Sequence, residues 1–517
     1  MINYWWATRP KRSLNSIPEV LAAIADVALN AQWDAQRRTH LSFESALETA
    51  GIKREGERRD QTGGGGRTYL AWVSSLGLVF RQEGTGDLKL TLAGEAILAG
   101  DSSVAVIKNQ VLKYQFPSSY SQGKGVNLNP RFRLRPFRFL LRLLSDPYIS
   151  FLSEDEIAKV VIVEAENETE LCYRKVVDKL LMFRSLGDAS LDHDFLEKYH
   201  SSKGINLSNP YSNLGAVANT FELWLEYTQL ARRGNDKLIR ILPDKKAEVE
   251  TLLAHKPSFV DRPEQHEYFQ RKYGLDPKHK KDTRNLSQAK TITAKMLIDQ
   301  KIQSAFISES LKSPIAKITA DLVGKVAETV GADLRLVEET LQRLYPHGAI
   351  GSFMTEYFEM AFKGRDEALP FEQATSELFK SVFGFETHHI GAIGKTPDVL
   401  VLSNSEGYSG IIDNKAYSSY SISNDHHNRM VHNYISGLGN YYKGGLPLAF
   451  FMYIAGGFGS SIDSQIQEIV RETSVHGSAI SVSNIINLVE KHSNGEHDHA
   501  WLRSLFTLDK QVLLGEL

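Results

Sequence analysis

Thr396-Pro397-Asp398-Val399-Leu400-Val401-Leu402 and, beyond a polar turn, Gly410-Ile411-Ile412-Asp413-Asn414-Lys415-Ala416-Tyr417 form the stretch that decides how this chain folds. Two short apolar runs, 399–402 and 410–415, flank the polar residues 403–409 and predict a hairpin. Side chains alternate across a strand, so Asp413 and Lys415 project from one face, while Asp398 opens the neighbouring strand. Two carboxylates and an ammonium therefore converge. Phosphodiester hydrolysis needs such a set. Hard oxygen ligands hold Mg2+ against a scissile phosphate, and a lysine beside the attacking water orients it or eases its deprotonation. The alternative for these residues alone is a surface hairpin with solvated charges.

The flanks extend the pattern. Upstream, Glu377-Leu378-Phe379-Lys380-Ser381-Val382-Phe383-Gly384-Phe385 spaces apolar residues at 378, 379, 382 and 383. This predicts an amphipathic helix that sets Glu377 towards the sheet edge. Downstream, Leu448-Ala449-Phe450-Phe451-Met452-Tyr453-Ile454-Ala455 reads as a fully buried strand of a mixed sheet. Pro-Asp, a gap, then Asp-x-Lys is the PD-(D/E)xK nuclease signature, and helix, hairpin, helix and buried strand is the order of that fold's core.

On these residues, together with His389-Ile390-Gly391, the stretch from about 377 to 491 resembles the cleavage domain of FokI-type type IIS restriction endonucleases. The resemblance implies Asp398, Asp413 and Lys415 as the catalytic triad, Glu377 as the helix glutamate, and the Asn414 carbonyl as a third ligand of Mg2+ beside Asp398 and Asp413. It also implies a transient homodimer, because the family pairs two cleavage domains through an Asp and an Arg one helical turn apart. Asp425 and Arg429 have that spacing. An ordinary intrahelical ion pair is the alternative for those two.

The front of the chain has a different character. Residues 1–150 hold 20 Lys and Arg against 13 Asp and Glu, whereas the remainder carries 40 against 49. A basic first third suggests a surface for a polyanion. Two segments of the first half repeat a pattern, 68–95 reading as helix, strand, glycine turn, strand, helix and 223–243 as helix, polar turn, strand, helix, which is how a winged helix that reads duplex DNA looks in sequence. Three basic clusters are expected to meet phosphates: Arg9, Lys11 and Arg12; Lys53, Arg54, Arg58, Arg59 and Arg67; and Arg131, Arg133, Arg135, Arg138 and Arg142. A looser resemblance over about 65–280 is to AlwI-like type IIS and strand-nicking endonucleases. It is carried by Lys113-Tyr114-Gln115-Phe116-Pro117-Ser118, the segment 129–144 and Glu267-Tyr268-Phe269-Gln270-Arg271-Lys272-Tyr273-Gly274.

The expected architecture is therefore multidomain α+β. Winged-helix-like DNA-recognition subdomains at 1–150 and 151–260 precede a helical linker at 261–345 and an α/β nuclease domain with a mixed sheet at 346–517. The expected activity is that of a type IIS restriction endonuclease on double-stranded DNA, with a separate protective methyltransferase as the other half of the system. Two rivals stand: a strand-nicking enzyme or large subunit of a heterodimer, and a non-cutting DNA-binding protein with a vestigial nuclease fold.

Other features carry less. The chain of 517 residues is 42% hydrophobic and 24% charged, which excludes a mainly disordered protein. No run is long and apolar enough for a membrane span, and residues 1–6 lack a basic-then-apolar secretory pattern. A single cysteine, Cys172, makes neither an internal disulfide nor a thiolate zinc site, so a reducing bacterial cytoplasm is expected. Residues 391–396 end like a phosphate-binding loop, but His389 stands where glycine is required. Ser208-Asn209-Pro210-Tyr211 lacks the glycine-rich loop of a methyltransferase. His426, His427, His432, His497 and His499 lack zinc-site spacing and are expected at the solvated surface. Trp5, Trp6 and Trp72 are expected in the core.

Overall fold

The computed structural model describes residues 1–54, 62–118, 126–200, 204, 208–234, 236–255, 257–286, 294–364, 368–391, 396–492 and 498–517. The chain divides into two compact units, one of Met1–Ile307 with Val326–Asp333, the other of Ser308–Lys325 with Leu334–Leu517.

Among the described residues, the first unit is mainly helical and carries two hairpins. Helix Gly64–Ser75 leads into β1 (Val79–Arg81) and β2 (Leu88–Leu90), and helix Leu92–Leu98 follows. The strands pair antiparallel, with Val79 opposite Leu90. Gly84 and Gly86 turn the chain between them at φ of 88° and 74°, a region open to glycine at no steric cost. Thr91 caps the next helix by accepting a hydrogen bond from the Gly94 amide. The order recurs as helix Ser212–Tyr227, β3 (Ala231–Arg233), β4 (Ile239–Ile241) and helix Lys246–Ala254. Each hairpin gains a single-residue antiparallel neighbour: Gln32 bridges Asp87, and Leu152 bridges Ile239. Trp5, Trp72 and Trp224 are fully buried, while Trp6 is half-buried.

The second unit is built on a mixed six-stranded sheet. Its strands are β5 (Glu386–His389), β6 (Val399–Ser403), β7 (Tyr408–Lys415), β8 (Leu448–Ala455), β9 (His476–Ser481) and β10 (Lys510–Val512), in the spatial order β10-β9-β8-β7-β6-β5. β5, β6 and β7 form an antiparallel meander, whereas β7 to β10 run parallel. The polar turn 404–407 allows the tight β6–β7 connection, and the parallel pairings need the helical crossovers that follow. β7 and β8 approach closely because Gly410 has no side chain: a Cβ there would lie 2.2 Å from the Phe450 ring. β8 is buried from Phe450 to Ala455, as its unbroken apolar run requires when both faces of a strand are covered.

One face of this sheet presents Leu400, Leu402, Ile411, Phe451, Tyr453 and Ala479 to a cluster containing Tyr420, Ile422, Met430, Val431 and Tyr434. Asp413 lies two residues beyond Ile411, on the same face and at the margin of that cluster. Helix Ala368–Ser381 packs near the same end of the sheet, with Thr375 reaching Asn414. No helix among the described residues is long and apolar enough to cross a membrane.

Candidate active site

The meander register determines the site. β6 and β7 pair Val399 with Ile412 and Leu400 with Ile411, so Asp398 and Asp413 are the next opposed pair where the strands begin to part. The Asn414 amide N–H donates to Asp398 Oδ2 at 2.6 Å, tying the carboxylate across to β7. Lys415 Nζ stands 2.7 Å from Asp413 Oδ2. The expected trio of Asp398, Asp413 and Lys415 is thus brought together.

Asp413 is 3% exposed, and its Oδ1 has no hydrogen-bond partner among the described residues. A buried, half-unpaired carboxylate is costly unless something positive completes it. Burial, then the neighbouring charge of Asp413, push the Asp398 carboxyl well above the usual carboxylate range. Burial pulls the Lys415 ammonium down, but Asp413 and Asp398 more than offset this, and its affinity for the proton rises. Lys415 is therefore a fixed ammonium, not a neutral amine. Ionised together, the two aspartates would exceed what that single lysine neutralises, which is why Asp398 holds its proton so tightly; a hard divalent cation suits this donor set and would let both ionise. Among the described residues no three His, Cys, Asp or Glu side chains enclose an ion. A cation would take Asp398 and Asp413 first, completed by a main-chain carbonyl and water.

Glu377 is not brought to the site. It is exposed and accepts a 2.5 Å hydrogen bond from Ser381 on its own helix. The reason is helical phase: Phe371, Thr375, Leu378 and Phe379 face inward, and Glu377 falls on the opposite side. The carboxylate from this helix that approaches Asp398 is Glu372. Its charge raises Asp398 further, and its Oε2 stands 3.1 Å from His389 Nε2. Gly391 makes the space, since a Cβ there would lie 2.8 Å from Glu372 Oε2 and 3.4 Å from Asp398 Oδ1. Asn414 turns its side-chain amide inward, donating to Thr375 Oγ1 at 2.6 Å. Asp425 and Arg429 pair with each other at 2.7 Å within the chain. Arg429 lies near enough for its charge to act on Lys415 and Tyr434.

The basic clusters separate into exposed and internal members. Arg131 is 2.6 Å from Glu166 and also donates to the carbonyls of Asn3 and Val163. Arg135 is 2% exposed and holds Glu168 at 2.5 Å. Arg138 donates to the Leu252 carbonyl, and Arg142 pairs with Glu170. This run is largely internal scaffolding, a correction to its reading as a phosphate-facing patch, although Arg133 is exposed, with its guanidinium 5.3 Å from the Phe259 ring. Arg9 donates to the Ala7 carbonyl, Lys11 is half-buried, and exposed Arg12 reaches Asn219. Arg67 donates to the Thr62 carbonyl at 2.6 Å. Arg58 and Arg59 lie outside the described residues.

Three of the histidines expected at the surface are engaged instead. His499 stacks on Phe385 at 4.0 Å and holds Ser403 and the Phe383 carbonyl. His426 hydrogen-bonds the Tyr420 hydroxyl at 2.8 Å. His427 pairs with Glu472 at 3.0 Å, His432 is exposed, and His497 lies outside the described residues.

Residues 331–513 match the family model described as FokI, cleavage domain. Among solved structures, that of restriction endonuclease FokI is 13% identical over 99% of this chain and 100% of its own, with a TM-score of 0.30. FokI bound to DNA is 12% identical over 95% of this chain and 89% of its own, with a TM-score of 0.29. The BpuJ1 endonuclease binding domain, in complex with pyrene- and phenanthrene-modified DNA, is 18% identical over 53% of this chain and 96% of its own, with a TM-score of 0.34. Scores this low establish no common arrangement of the whole chain, and the likeness to the FokI cleavage domain is confined to residues 331–513. No curated protein matches.

Proposed function

We infer, from the match of residues 331–513 to the FokI cleavage-domain model, that this chain is a restriction endonuclease of the type IIS kind. It binds a short asymmetric site in double-stranded DNA and hydrolyses phosphodiesters at a fixed distance outside it, with Mg2+ as cofactor. The observation that carries this reading is the convergence of Asp398, Asp413 and Lys415 at the parting ends of β6 and β7.

In this reading Asp398 and Asp413 hold the metal, with the Asn414 carbonyl as a third ligand. Bound Mg2+ supplies Lewis-acid stabilisation of the phosphorane charge and a more acidic water. Lys415, kept protonated by the two aspartates, donates a hydrogen bond that aims the attacking water and stabilises charge developing on the phosphate oxygens. Glu372, held by His389, borders the same pocket and orients what enters it. The products carry 5′-phosphates. The basic first unit provides recognition through its helix-and-hairpin elements, here taken as winged-helix-like subdomains at 1–150 and 151–260, and residues 261–345 act as the spacer.

Two cleavage domains would meet transiently through Asp425 and Arg429, an isologous arrangement across a two-fold axis. One observation favours a second reading. The two residues already satisfy each other within one chain, as suits an enzyme that self-pairs weakly and nicks one strand or works with a separate nuclease subunit. Gel analysis of supercoiled plasmid divides these: linear product supports paired cutting, whereas persistent open circles support nicking. Asp413→Ala should abolish either product while leaving DNA binding in Ca2+ intact. Unchanged cutting by that variant contradicts the reading.

A further inference from the structure

His426 stands apart from the other histidines because of what holds it. It lies in the short helix Asn424–Asn428, half-buried, and its Nδ1 shares a 2.8 Å hydrogen bond with the Tyr420 hydroxyl. Tyr420 is 4% exposed and packs on Tyr453, with ring centroids 5.6 Å apart. Tyr453 is the register partner of Asp413 across β7 and β8, and is itself fully buried. The imidazole is thus anchored to the aromatic wall that backs Asp413, close enough for the charges of both Lys415 and Asp413 to act on it.

The hydrogen bond holds the ring and offers it one tautomer suited to the site. Burial, then the charge of Asp413, keep the Tyr420 hydroxyl protonated. The protonated hydroxyl can donate to Nδ1 or accept from an Nδ1–H, and the first arrangement leaves the ring proton on Nε2. Burial and Lys415 hold the imidazole below its ordinary range, which favours the neutral ring. Asp425 and Arg429, on the same and the following turn, also act on the ring, with opposite signs. With the hydroxyl donating, the ring is an uncharged Nε2–H donor held beside a site that already contains an ammonium and two aspartates. A second cation there would repel Lys415 and the metal, whereas a neutral donor does neither.

We propose that His426 is a further catalytic residue of the cleavage reaction, its Nε2–H donating to a non-bridging oxygen of the DNA backbone phosphate bound at the Asp398–Asp413–Lys415 site. This rests on the endonuclease reading of that site. A preorganised donor aimed at an oxygen that gains charge in the transition state acts mainly on the chemical step. Tyr420 is a positioning residue that acts through the ring.

The test is single-turnover cleavage of supercoiled plasmid by the full chain in Mg2+, alongside DNA binding in Ca2+ and thermal unfolding of each variant. His426→Ala is expected to slow cleavage on the order of ten- to a hundredfold, with binding and unfolding midpoint unchanged. His426→Gln, which keeps an N–H donor, should recover part of that loss. Tyr420→Phe, which frees the ring, should fall between wild type and His426→Ala. Asp413→Ala serves as the reference. If it is inactive while His426→Ala cuts at the wild-type rate, or while His426→Gln is no better than His426→Ala, the donor role of His426 is overturned and the metal site stands. If Asp413→Ala itself cuts normally, the endonuclease site fails and this inference with it.

Discussion

At the scale of single residues, the site depends on which carboxylates share one pocket. Glu372 and Glu377 lie on one helix only five positions apart, yet one borders Asp398 and the other faces solvent. Glu372→Gln should therefore lower the cleavage rate or the Mg2+ response by about tenfold, while Glu377→Gln leaves both unchanged; titrating Mg2+ against cleavage by the two variants checks this. Glu372 was legible in principle. It is three positions before Thr375, whose hydroxyl meets Asn414, and residues three apart share a helix face. From Glu377 onward alone the helical phase stays open, because a periodicity that starts late does not say which acidic residue looks inward.

Lys113, in the first unit, provides a pH test. It is half-buried, donates to the Leu275 carbonyl at 2.7 Å, and burial pulls its ammonium down to about 7 against some help from Asp276. Between that value and the ordinary lysine value the unfolded chain binds a proton that the folded chain does not. Stability should then rise with pH through this window, by at most about 1.4 kcal/mol per unit. Below about 7 the penalty is fully present. Above the ordinary tyrosine value, the buried Tyr114 and Tyr273 hydroxyls, both held protonated by burial, reverse the trend. Denaturant unfolding at pH 7, 8 and 9 should show this rise in the wild type and a flatter profile in Lys113→Met. Equal slopes would contradict the assignment.

At the scale of elements, legibility followed locality. The β6–β7 hairpin and the buried β8 strand were visible because alternation and an unbroken apolar run are local signals. The two helix-and-hairpin segments of the first unit were visible because glycine and polar turns mark their breaks. The arginine run 131–142 misled because its partners are distant in sequence. They were nonetheless written there: Glu164, Glu166, Glu168 and Glu170 form an alternating acidic run, and the last three pair with Arg131, Arg135 and Arg142. An alternating basic run with a matching acidic run downstream signals two segments laid side by side, and the buried member Arg135 is held by charge-assisted hydrogen bonds that water no longer competes for.

The helix carrying Asp425 and Arg429 gives the prediction at this scale. If these residues also pair across two cleavage domains, Asp425→Arg and Arg429→Asp should each suppress linear product while leaving nicked circles. An equimolar mixture of the two variants should restore linear product, because opposite charges then face each other across the interface. Plasmid gels read both outcomes. Normal linearisation by either variant alone would exclude the pair from dimerisation.

At the scale of the whole molecule, the chain separates a basic front from an acidic back, with +7 in residues 1–150 and −9 in the rest. The sheet of the second unit gathers the aspartates and lysine, and the hairpins of the first unit stand in sequence where a DNA-reading surface is expected. Charge of this kind gives affinity and salt dependence but no sequence preference, which requires side chains against base edges. That part was not legible in the sequence, because base contacts depend on a few side chains placed by tertiary structure and by the DNA itself.

The most direct measurement is sequencing of the DNA ends left when wild-type protein and Asp413→Ala digest genomic DNA in Mg2+. The account predicts that wild-type ends carry 5′-phosphates at one constant offset from a single asymmetric sequence, and that Asp413→Ala yields about a thousandfold fewer such ends or none. Ends scattered without relation to any sequence, or equal yields from the two proteins, would contradict it.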